Sequence, residues 1–483
     1  MKKTAWLGLV LSVLLSACSD AGGYDGRAGT ASDTSAGGAE ANSVGQASTP
    51  PRAEDNAPSI QLVPNERVKL VVATYYLSEQ VKEAVKKYEK LHPNIEIELH
   101  ASSTSGENLN DVLNKREQFV KTNNAALLAG SGPDVIELDE LPSDQYAKRQ
   151  LLVDLNKLMK QDPNFHREQY FDNVLDHSQD SGKLYGMPLY FSLVGLFGDA
   201  DAIEKAGVTF DDSKWTLNDF IDIAKQLKQK GSYKYSYSEW PSNLLVNMVS
   251  ENYAQLVSGT NGNAYFDTDA LADMMRKVTT LGDEELIYKS VESGITNKLD
   301  SRAVDSSDVD AYFSQMEVYS LRDAVVRSPY KHTKLYIKPH PANAGDGGYF
   351  KPFGTLGING NSAHPEVAWD FIKFLLNDES VQSYVGEFDD NPGFPLNRSV
   401  YEHQADKIKS DGLKDYDDST VKVDPAFLEQ MGSYLSKAVN AVRGPSKIEG
   451  IVDKQSEAFF SGQKSAEAAA KLIGNKIDLL LNE

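Results

Sequence analysis

The sequence of 483 residues contains one cysteine, Cys18, and eight scattered histidines. A single cysteine excludes an intrachain disulfide, so packing of a hydrophobic core must hold the folded body together. The histidines lack the spacing of a metal site, and no second cysteine is present to bind zinc. Asp267 and Asp269 fit no calcium-binding loop and serve equally well as turn and cap residues. We therefore expect no metal and no cofactor.

Sequence motifs of the common enzyme classes are missing as well. The chain has no His-Glu-x-x-His, no Gly-x-Ser-x-Gly, no phosphate-binding Gly-Lys-Ser/Thr loop and no Gly-x-Gly-x-x-Gly. We predict that the protein is not an enzyme. A glycan-degrading activity stays open, because a chain with 70 acidic residues contains accidental carboxylate pairs.

Positive charge is in short supply, and the formal net charge is −21. A nucleic-acid partner is not expected, since phosphate neutralisation needs a basic face, and anionic lipid is disfavoured for the same reason. Hydrophobic residues make up 40% and charged residues 25%, which are ordinary values for a soluble globular body. A chain of this length is too long for one core, so we expect two domains.

The N-terminus has the pattern of an export signal. Lys2 and Lys3 precede an apolar run, residues 6–15, that is too short to span a membrane. The run ends in Leu-Ser-Ala-Cys, which resembles the lipobox of bacterial lipoproteins and identifies Cys18 as the acylated residue. We expect residues 1–18 to act as a signal peptide and two acyl chains on Cys18 to anchor the exported protein to the outer face of the cytoplasmic membrane.

Residues 19–60 consist largely of Gly, Ala, Ser, Thr and Asp. Such a segment cannot bury enough apolar surface to offset the entropy lost on ordering, so it predicts a flexible tether between the anchor and the folded body.

The folded body begins with the pattern of a βαβ unit. Residues 68–73 form an apolar run typical of a buried strand, and residues 79–91 carry apolar side chains at helical spacing. His92-Pro93 ends that helix, and apolar residues then alternate with glutamates over residues 95–99. Strand, helix and strand within about thirty residues indicate a parallel sheet.

Later segments predict a chain that returns to this sheet. Residues 189–197 form a long apolar strand, which we interpret as a first crossing between lobes. Residues 349–354 read as an aromatic loop broken by Gly and Pro, residues 355–358 as a strand, and Pro365 as the first turn of a buried helix. Residues 391–395 predict a second crossing. The protein should therefore have two lobes joined by several crossover segments.

Several short stretches share an order and spacing that is specific although each stretch alone is weak. They are Lys90–Ile95, Gly132–Val135, Gly182–Pro188, Trp215–Phe220, His364–Trp369 and Phe459–Leu481. Together, over roughly residues 66–483, they resemble the extracellular solute-binding proteins of bacterial ABC sugar importers, the family that includes maltose-binding protein. The resemblance implies an α/β, two-lobed periplasmic-binding-protein-like fold of type II, with crossover hinge segments and a ligand cleft between the lobes.

The resemblance also implies a function and a division of the chain. We assign residues 61–190 and 353–394 to the first lobe, and residues 191–352 and 395–483 to the second. A monomer of this kind would capture a saccharide, close its lobes and deliver the ligand to the permease subunits of an ABC transporter, with ATP hydrolysed by that partner. A sensor that passes the ligand signal to a membrane kinase shares the same fold and stays open.

One segment departs from the family pattern. The run Tyr312–Asp323 lacks the residues usual in the family, and Arg322 and Asp323 fall near positions that line the family's cleft. A charged or non-sugar solute is therefore an alternative ligand, and Arg322 is the residue that would decide.

A saccharide site needs aromatic planes and polar side chains, because sugars present apolar faces and hydroxyl edges. Candidates lie at the carboxyl ends of strands, on the crossover strand, on the returning stretch and in the second lobe. They are Tyr75, Tyr76, Asp139, Glu140, Tyr190, Phe191, Trp240, Arg322, Tyr349 and Phe353. An aromatic residue in an apolar strand is more often a core residue than a ligand contact, and solvated acids at the surface are the alternative for Asp139 and Glu140.

Overall fold

The computed structural model describes residues 66–103, 109–260, 263–287, 310–326, 333–340, 347–382, 393–415, 419–443 and 446–482. The chain divides into Met1–Asn56 and Ala57–Glu483, and every described residue lies in the second unit. The predicted signal peptide, Cys18 and the whole of the predicted tether thus lie outside the described residues. Among the described residues, no helix combines the length and the apolar character needed to cross a bilayer.

The predicted βαβ unit is confirmed. Strand β1 (Val68–Tyr76) pairs in parallel with β2 (Ile95–Ser103), and helix α1 (Glu79–Leu91) connects them. The Ser78 side chain caps α1 by accepting a hydrogen bond from the Val81 amide. Parallel pairing places the carboxyl ends of both strands at the same edge of the sheet, where α/β proteins bind ligands.

The next segment completes the first part of the sheet and begins the crossover. Its elements are α2 (Leu109–Leu128), β3 (Val135–Glu137), α3 (Ser143–Lys148), α4 (Leu155–Gln161), a 3-10 turn (Arg167–Gln169), α5 (Asp172–His177) and β4 (Met187–Asp199). Strand β3 pairs in parallel with β1. Strand β4 is buried over nearly its whole length, which confirms the predicted long apolar strand.

The middle of the chain adds helices and short strands. They are α6 (Ala200–Lys205), α7 (Leu217–Lys230), β5 (Tyr235–Ser238), α8 (Pro241–Glu251), α9 (Tyr253–Leu256), β6 (Val257–Thr260), β7 (Asn263–Phe266), α10 (Thr268–Asp283), β8 (Ala311–Val318), α11 (Leu321–Val326) and β9 (Thr333–Tyr336). Thr216 and Asp219 form a capping box at the start of α7. Asp267 caps α10 by accepting from two backbone amides, which confirms the cap interpretation.

The last segment returns to the sheet and ends in two long helices. It comprises β10 (Gly348–Ile358), α12 (Pro365–Asn377), α13 (Glu379–Gln382), β11 (Phe394–Pro395), α14 (Arg398–Asp411), β12 (Leu413–Lys414), β13 (Thr420–Val421), α15 (Pro425–Ser436), β14 (Ala438–Ala441), α16 (Ser446–Phe460) and α17 (Ala466–Asn482). The predicted loop at 349–354 is wrong, because these residues belong to β10. Pairing with β4 along most of the strand outweighs the local break signalled by Pro352 and Gly354.

A mixed sheet runs through the described chain in the order β2-β1-β3-β10-β4-β8-β5. Strand β10 is antiparallel to both of its neighbours, β3 and β4, and β4 is antiparallel to β8. Strands β9 and β11 also pair with β4, and β14 pairs with β10. The two long strands β4 and β10 therefore connect the part of the sheet built by β1–β3 with the part built by β5 and β8.

Two large hydrophobic cores lie on the two sides of this connection. The first contains Trp369 and Tyr88, and the second contains Trp215 and Phe313. Strand β4 contributes Leu193 to the first core and Leu196 to the second. A smaller cluster under α2 and α3 covers the other face of the first lobe's sheet. The α/β class and the two-lobed organisation thus follow from where apolar side chains pack.

The cores divide the chain differently from the boundaries predicted from the sequence. Helices α14 and α15, placed in the second lobe by the assignment of 395–483, contribute Tyr401, Leu428 and Leu435 to the first core. Only α16 and α17 of that range pack into the second core. The reason is that β11, at the start of the range, pairs with β4 at Tyr190 and Phe191, on the side of the first core.

Candidate functional site

The carboxyl ends of β1 and β3 present a group of polar and aromatic residues. The side chain of Tyr75 is held in place, because its hydroxyl donates to the Val112 carbonyl at 2.9 Å and its ring packs against Phe119. Tyr76 remains 37% exposed. Of the two predicted tyrosines, Tyr76 therefore offers the accessible ring surface, whereas Tyr75 positions the start of α2.

Three carboxyl groups follow β3 at this edge. Glu137 accepts a hydrogen bond from the Tyr75 amide at 2.8 Å, and Glu140 is paired with Arg116 of α2. Asp139 accepts from the amides of Gly354 and Thr355 on β10, at 2.6 and 3.1 Å. Asp139 is exposed to solvent overall, although the protein around its carboxyl group displaces part of the neighbouring water.

The environment of these carboxyl groups disfavours their charged forms. Burial, reinforced by the neighbouring charge of Asp139, raises the pKa of Glu137 to about 8, against the lowering effect of the Tyr75 and Tyr76 amides. Burial likewise raises the pKa of Asp139 to about 6, although donors on Thr355 and Gly354 favour its ionised form.

The crossover strands carry one continuous face between the lobes. Because Lys351 lies opposite Ser192 and Phe353 lies opposite Tyr190, their side chains share this face, as does Glu317 of β8. We call it the crossover face. The Ser192 hydroxyl donates to Glu317 at 2.6 Å, and Lys351 is exposed. Polar groups on a strand face between two cores indicate a surface that serves more than packing.

Phe353 is a half-buried aromatic ring on the crossover face. Its ring centroid lies 6.0 Å from Tyr190 and 5.9 Å from Tyr319. Lys351 lies two residues before Phe353. Gly354 and Thr355 follow it directly, and their amides donate hydrogen bonds to Asp139. Phe353 thus connects the acidic edge of the first lobe with the crossover face.

The second lobe contributes a buried ion pair next to this face. Lys338 is paired with Glu251 of α8, and each side chain is only 6% exposed. Lys338 also donates to the side-chain carbonyl of Gln315 on β8, which accepts a second hydrogen bond, 2.9 Å long, from the Tyr237 hydroxyl. Burial raises the pKa of Glu251, and the positive charge of Lys338 opposes that shift. The pair is a structural anchor between α8, β8 and the segment after β9.

Trp240 lies immediately before α8 and is half-buried. Its amide donates to the side chain of Glu239 at 2.9 Å, and Asn247 contacts the same carboxyl group at 3.5 Å. Burial raises the pKa of Glu239 against the effects of the Trp240 amide and of Lys338. The second lobe thus presents the half-buried indole of Trp240 beside the Glu239 carboxyl group. The first lobe has a similar arrangement, in which the partly exposed ring of Tyr76 lies beside Glu137.

Three predicted ligand contacts are instead buried packing residues. Phe191 is fully buried against Phe171 and Phe394, so the prediction that it contacts ligand is wrong. Tyr190 is buried and its hydroxyl donates to the Val381 carbonyl at 2.7 Å. Tyr349 is also buried and stacks on a histidine. An apolar strand between two cores buries aromatic rings on both of its faces, and the sequence pattern does not reveal this.

Arg322 is half-buried on α11. Its neighbour Asp323 is buried and accepts a hydrogen bond from the Tyr319 amide at 3.1 Å. Asp323 therefore stabilises the turn between β8 and α11. The alternative that Arg322 decides the charge of the ligand stays a prediction.

Several site residues were not predicted. Glu137 is the last residue of β3, so the rule that ligands bind at the carboxyl ends of strands, which identified Asp139, applies to it as well. Arg116 becomes a site residue only through its ion pair with Glu140, which the sequence does not reveal. Glu239 lies directly before the predicted Trp240. Lys338 has no sequence signal at all, because its position depends on the pairing of β9 with β4.

A separate cavity of about 360 Å³ lies between α2 and the edge strand β2. Its lining includes His100, Lys115 and Gln118, and none of the predicted site residues. Within the described part of the chain, no cluster of His, Cys, Asp and Glu is arranged to hold a metal ion. The candidate site is therefore the crossover face together with the carboxyl groups near it, which are Glu137, Asp139 and Glu140 in the first lobe and Glu239 in the second.

Comparison with known proteins gives consistent matches. The sequence pattern of the family described as "Bacterial extracellular solute-binding protein" matches residues 76–382. Maltodextrin-binding protein MdxE of Bacillus subtilis (strain 168) is 23% identical over 263 residues, which are 52% of this chain and 60% of that relative. The matched region thus spans less than two thirds of that relative's length.

Solved structures of the same kind superpose on nearly the whole described body. The extracellular solute-binding protein family 1 from Alicyclobacillus acidocaldarius has a TM-score of 0.57 at 18% identity, covering 87% of this chain and 100% of that chain. A periplasmic oligogalacturonide binding protein from Yersinia enterocolitica also has a TM-score of 0.57 at 18% identity, covering 86% and 99%. At these identities the likeness establishes the fold alone, and it confirms the two-lobed α/β architecture predicted from the sequence.

Proposed function

Because the chain belongs to the bacterial extracellular solute-binding proteins, we propose that it binds a saccharide on the crossover face and delivers it to the permease of an ABC importer. One observation carries this proposal. The pairing of β4 with β10 and β8 places the half-buried ring of Phe353 and the carboxyl group of Glu317 on one face of the sheet, and the amides of Gly354 and Thr355 hold Asp139 beside it.

The residues at this face suit a polyhydroxylated ligand. Tyr76, Phe353 and Trp240 keep accessible ring surface on which the apolar face of a sugar can stack. Carboxyl groups such as Glu239 and Asp139 accept hydrogen bonds from hydroxyl groups. The relative named for maltodextrin supports a saccharide as the ligand class.

Capture of the ligand requires no covalent chemistry. A ligand held first by one lobe favours the closed state, because the second lobe adds its contacts only when the lobes come together. Strand β4 contributes side chains to both cores, so it is a segment that such closure would bend. Acylated Cys18 would keep the protein at the outer face of the membrane, close to the permease.

Thermal unfolding of the full chain against a panel of mono- and oligosaccharides tests this proposal. A saccharide that binds only the native state raises the melting temperature with its concentration. Trp240→Ala should abolish that shift, whereas Tyr265→Ala, which removes an exposed aromatic ring on β7, should leave it unchanged. If no saccharide shifts the melting temperature, the proposed function is wrong.

The same samples test the alternative of a glycan-degrading enzyme. The raised pKa values of Glu137 and Asp139 favour this alternative, because a protonated acid beside a second carboxyl group is the arrangement of glycosidases. Against it, both oxygens of Asp139 are engaged by the backbone of β10. We expect chromatography of the incubated oligosaccharides to show no shortened product, and product that disappears in Glu137→Gln would establish hydrolysis.

A further inference from the structure

We propose that the cavity between α2 and β2 is a second binding site, and that it takes a small carboxylate ligand that also carries hydroxyl groups. The site is independent of the proposed function, because none of the residues that line the cavity belongs to the crossover face. The polarity of its two walls, the charge of its lining and its hydrogen-bonding groups support this assignment.

The wall formed by α2 is polar where a helix that covers a sheet is normally apolar. Lys115, Phe119 and Thr122 are spaced by four and three residues, so they share one stripe of the helix, and all three line the cavity. An amphipathic helix normally fills such a stripe with apolar side chains. Leu113 and Leu128 of α2 are instead 50% and 46% exposed. Apolar residues of α2 are thus left in solvent while polar ones face the gap.

The wall formed by β2 is polar as well. Alternation along the strand directs Leu99 to the first core and places Glu98, His100 and Ser102 on the opposite face. His100 and Ser102 line the cavity, as does Ala73 of β1, which is aligned with His100. A gap with polar side chains on both walls is suited to hold water or a polar ligand, because apolar packing cannot close it.

The charge of the lining is opposite to that of the protein. No acidic residue lines the cavity, although the chain has 70 acidic and 49 basic residues. Glu98 is paired with Lys69 and His100, and Asp111, one turn before Lys115, is exposed outside the lining. The Lys115 ammonium group has three donors, so it can bind a carboxylate while it keeps the contact that it already makes.

The neutral lining residues suit the hydroxyl groups of such a ligand. Asn123 is 9% exposed, and its amide nitrogen donates to the Phe119 carbonyl at 2.9 Å, which fixes the orientation of its side chain. Gln118 and Thr122 add an amide and a hydroxyl from the same helix, and Ser102 adds a hydroxyl from β2. Side-chain amides and hydroxyls both donate and accept hydrogen bonds.

The size of the cavity restricts the ligand to a small molecule. Its volume of about 360 Å³ lies near the lower end of the range of about 300–1,000 Å³ for ligand sites. The acidic surface elsewhere on the protein does not exclude an anion, because charges more than about 8 Å away are largely screened at physiological ionic strength. Binding there would connect α2 to β2, so the stability of the first lobe would rise with the ligand concentration.

Gluconate and glucitol form a matched pair of ligands for testing this proposal. Both are six-carbon polyols, but gluconate ends in a carboxylate where glucitol ends in a hydroxymethyl group. Calorimetric titration of the full chain at neutral pH and about 0.15 M salt should show gluconate binding at least about tenfold more tightly, because only gluconate forms a charge-assisted contact with Lys115. Equal affinity of the two ligands, or no binding of gluconate, overturns the inference.

Variants of α2 locate the effect. Lys115→Met should weaken gluconate binding to the level of glucitol, since it removes the charge and keeps most of the length of the side chain. Lys121→Met is the matched control, because Lys121 is exposed on the same helix outside the lining. Gln118→Ala, at an exposed position of the lining, should weaken both ligands and provides a second test if melting curves show that Lys115→Met is unfolded. Equal weakening by Lys115→Met and Lys121→Met would mean nonspecific attraction and would overturn the inference.

Trp240→Ala separates this site from the proposed saccharide site. Gluconate should bind this variant as it binds the unchanged protein. If Trp240→Ala abolishes gluconate binding and Lys115→Met does not, gluconate binds on the crossover face and the inference is overturned. If gluconate binding depends on Lys115 while no saccharide shifts the melting temperature, the inference stands and the proposed function is wrong.

Discussion

The buried ion pair of Lys338 and Glu251 allows a direct test of how the second lobe is stabilised. Replacing Lys338 by Met removes the cation and leaves Glu251 with an uncompensated charge where each side chain is only 6% exposed. Removing one partner of a buried ion pair costs about 3–5 kcal/mol, whereas an exposed pair contributes less than about 1 kcal/mol. Gln315 keeps its hydrogen bond from Tyr237, so the loss is expected to come mainly from Glu251.

Urea unfolding of the full chain, followed by tryptophan fluorescence, measures this loss. Trp215 lies in the second core, to which α8 and its Glu251 belong, and it reports on that lobe. We expect Lys338→Met to lower the free energy of unfolding by about 3–5 kcal/mol. In the double variant Lys338→Met with Glu251→Met, most of this stability should return, because replacing both charges with apolar groups is often neutral.

The exposed pair of Lys82 and Glu79 on α1 supplies the control. Lys82→Met should change the free energy of unfolding by less than about 0.5 kcal/mol, as exposed helix pairs do. The reasoning is refuted if Lys338→Met lowers the free energy of unfolding no more than Lys82→Met does. It is also refuted if the loss in the double variant equals the sum of the losses measured for Lys338→Met and Glu251→Met separately. Either result would mean that the pair is hydrated or that it is not formed.

Three further predictions follow from other residues. Burial raises the folded-state pKa of Glu137 from its ordinary value of 4.5 to about 8, so its contribution to stability is fully present below pH 4.5 and is lost as the pH rises through 8. The free energy of unfolding should therefore fall between pH 5 and pH 8, and Glu137→Gln should reduce that fall by about 2–4 kcal/mol. A fall of the same size in both proteins would contradict this prediction. Phe191→Ala should destabilise the protein by about 3–5 kcal/mol in urea unfolding, since its ring is fully buried in the first core, and a loss below 1 kcal/mol would show that the ring is accessible. Tyr76→Ala should change the free energy of unfolding by less than about 1 kcal/mol, because the ring is partly exposed. The same variant should weaken saccharide binding measured by calorimetry, and unchanged binding would show that Tyr76 is not part of the site.

Local elements were predictable because their signals lie in neighbouring residues. The helix expected over 79–91 is observed with the same bounds, and the cap at Asp267 is as predicted. Pro365 indeed occupies the first turn of α12. Periodicity and capping depend on residues within a few positions of one another, so a sequence read locally contains them.

Strand β10 shows where local reading fails. Gly and Pro at 352–354 signal a break, yet the segment pairs with β4 through seven aligned residues. The partner strand lies more than 150 residues earlier in the chain, so its contribution is invisible in the local pattern. The same applies to α14 and α15, whose membership of the first core depends on β11 pairing with β4.

The sequence by itself determined the two-lobed α/β class, the βαβ unit at the start of the folded body, the long strand β4, the start of α12, and the acidic and aromatic character of the strand ends. Only the tertiary structure decided which of those aromatic rings are packing residues, as with Phe191, and which keep accessible surface, as with Tyr76. It alone also joined Lys338 to Glu251, which are 87 residues apart. The physical reason is that burial and charge pairing depend on strand register and on packing between distant segments, whereas helices and caps depend on near neighbours.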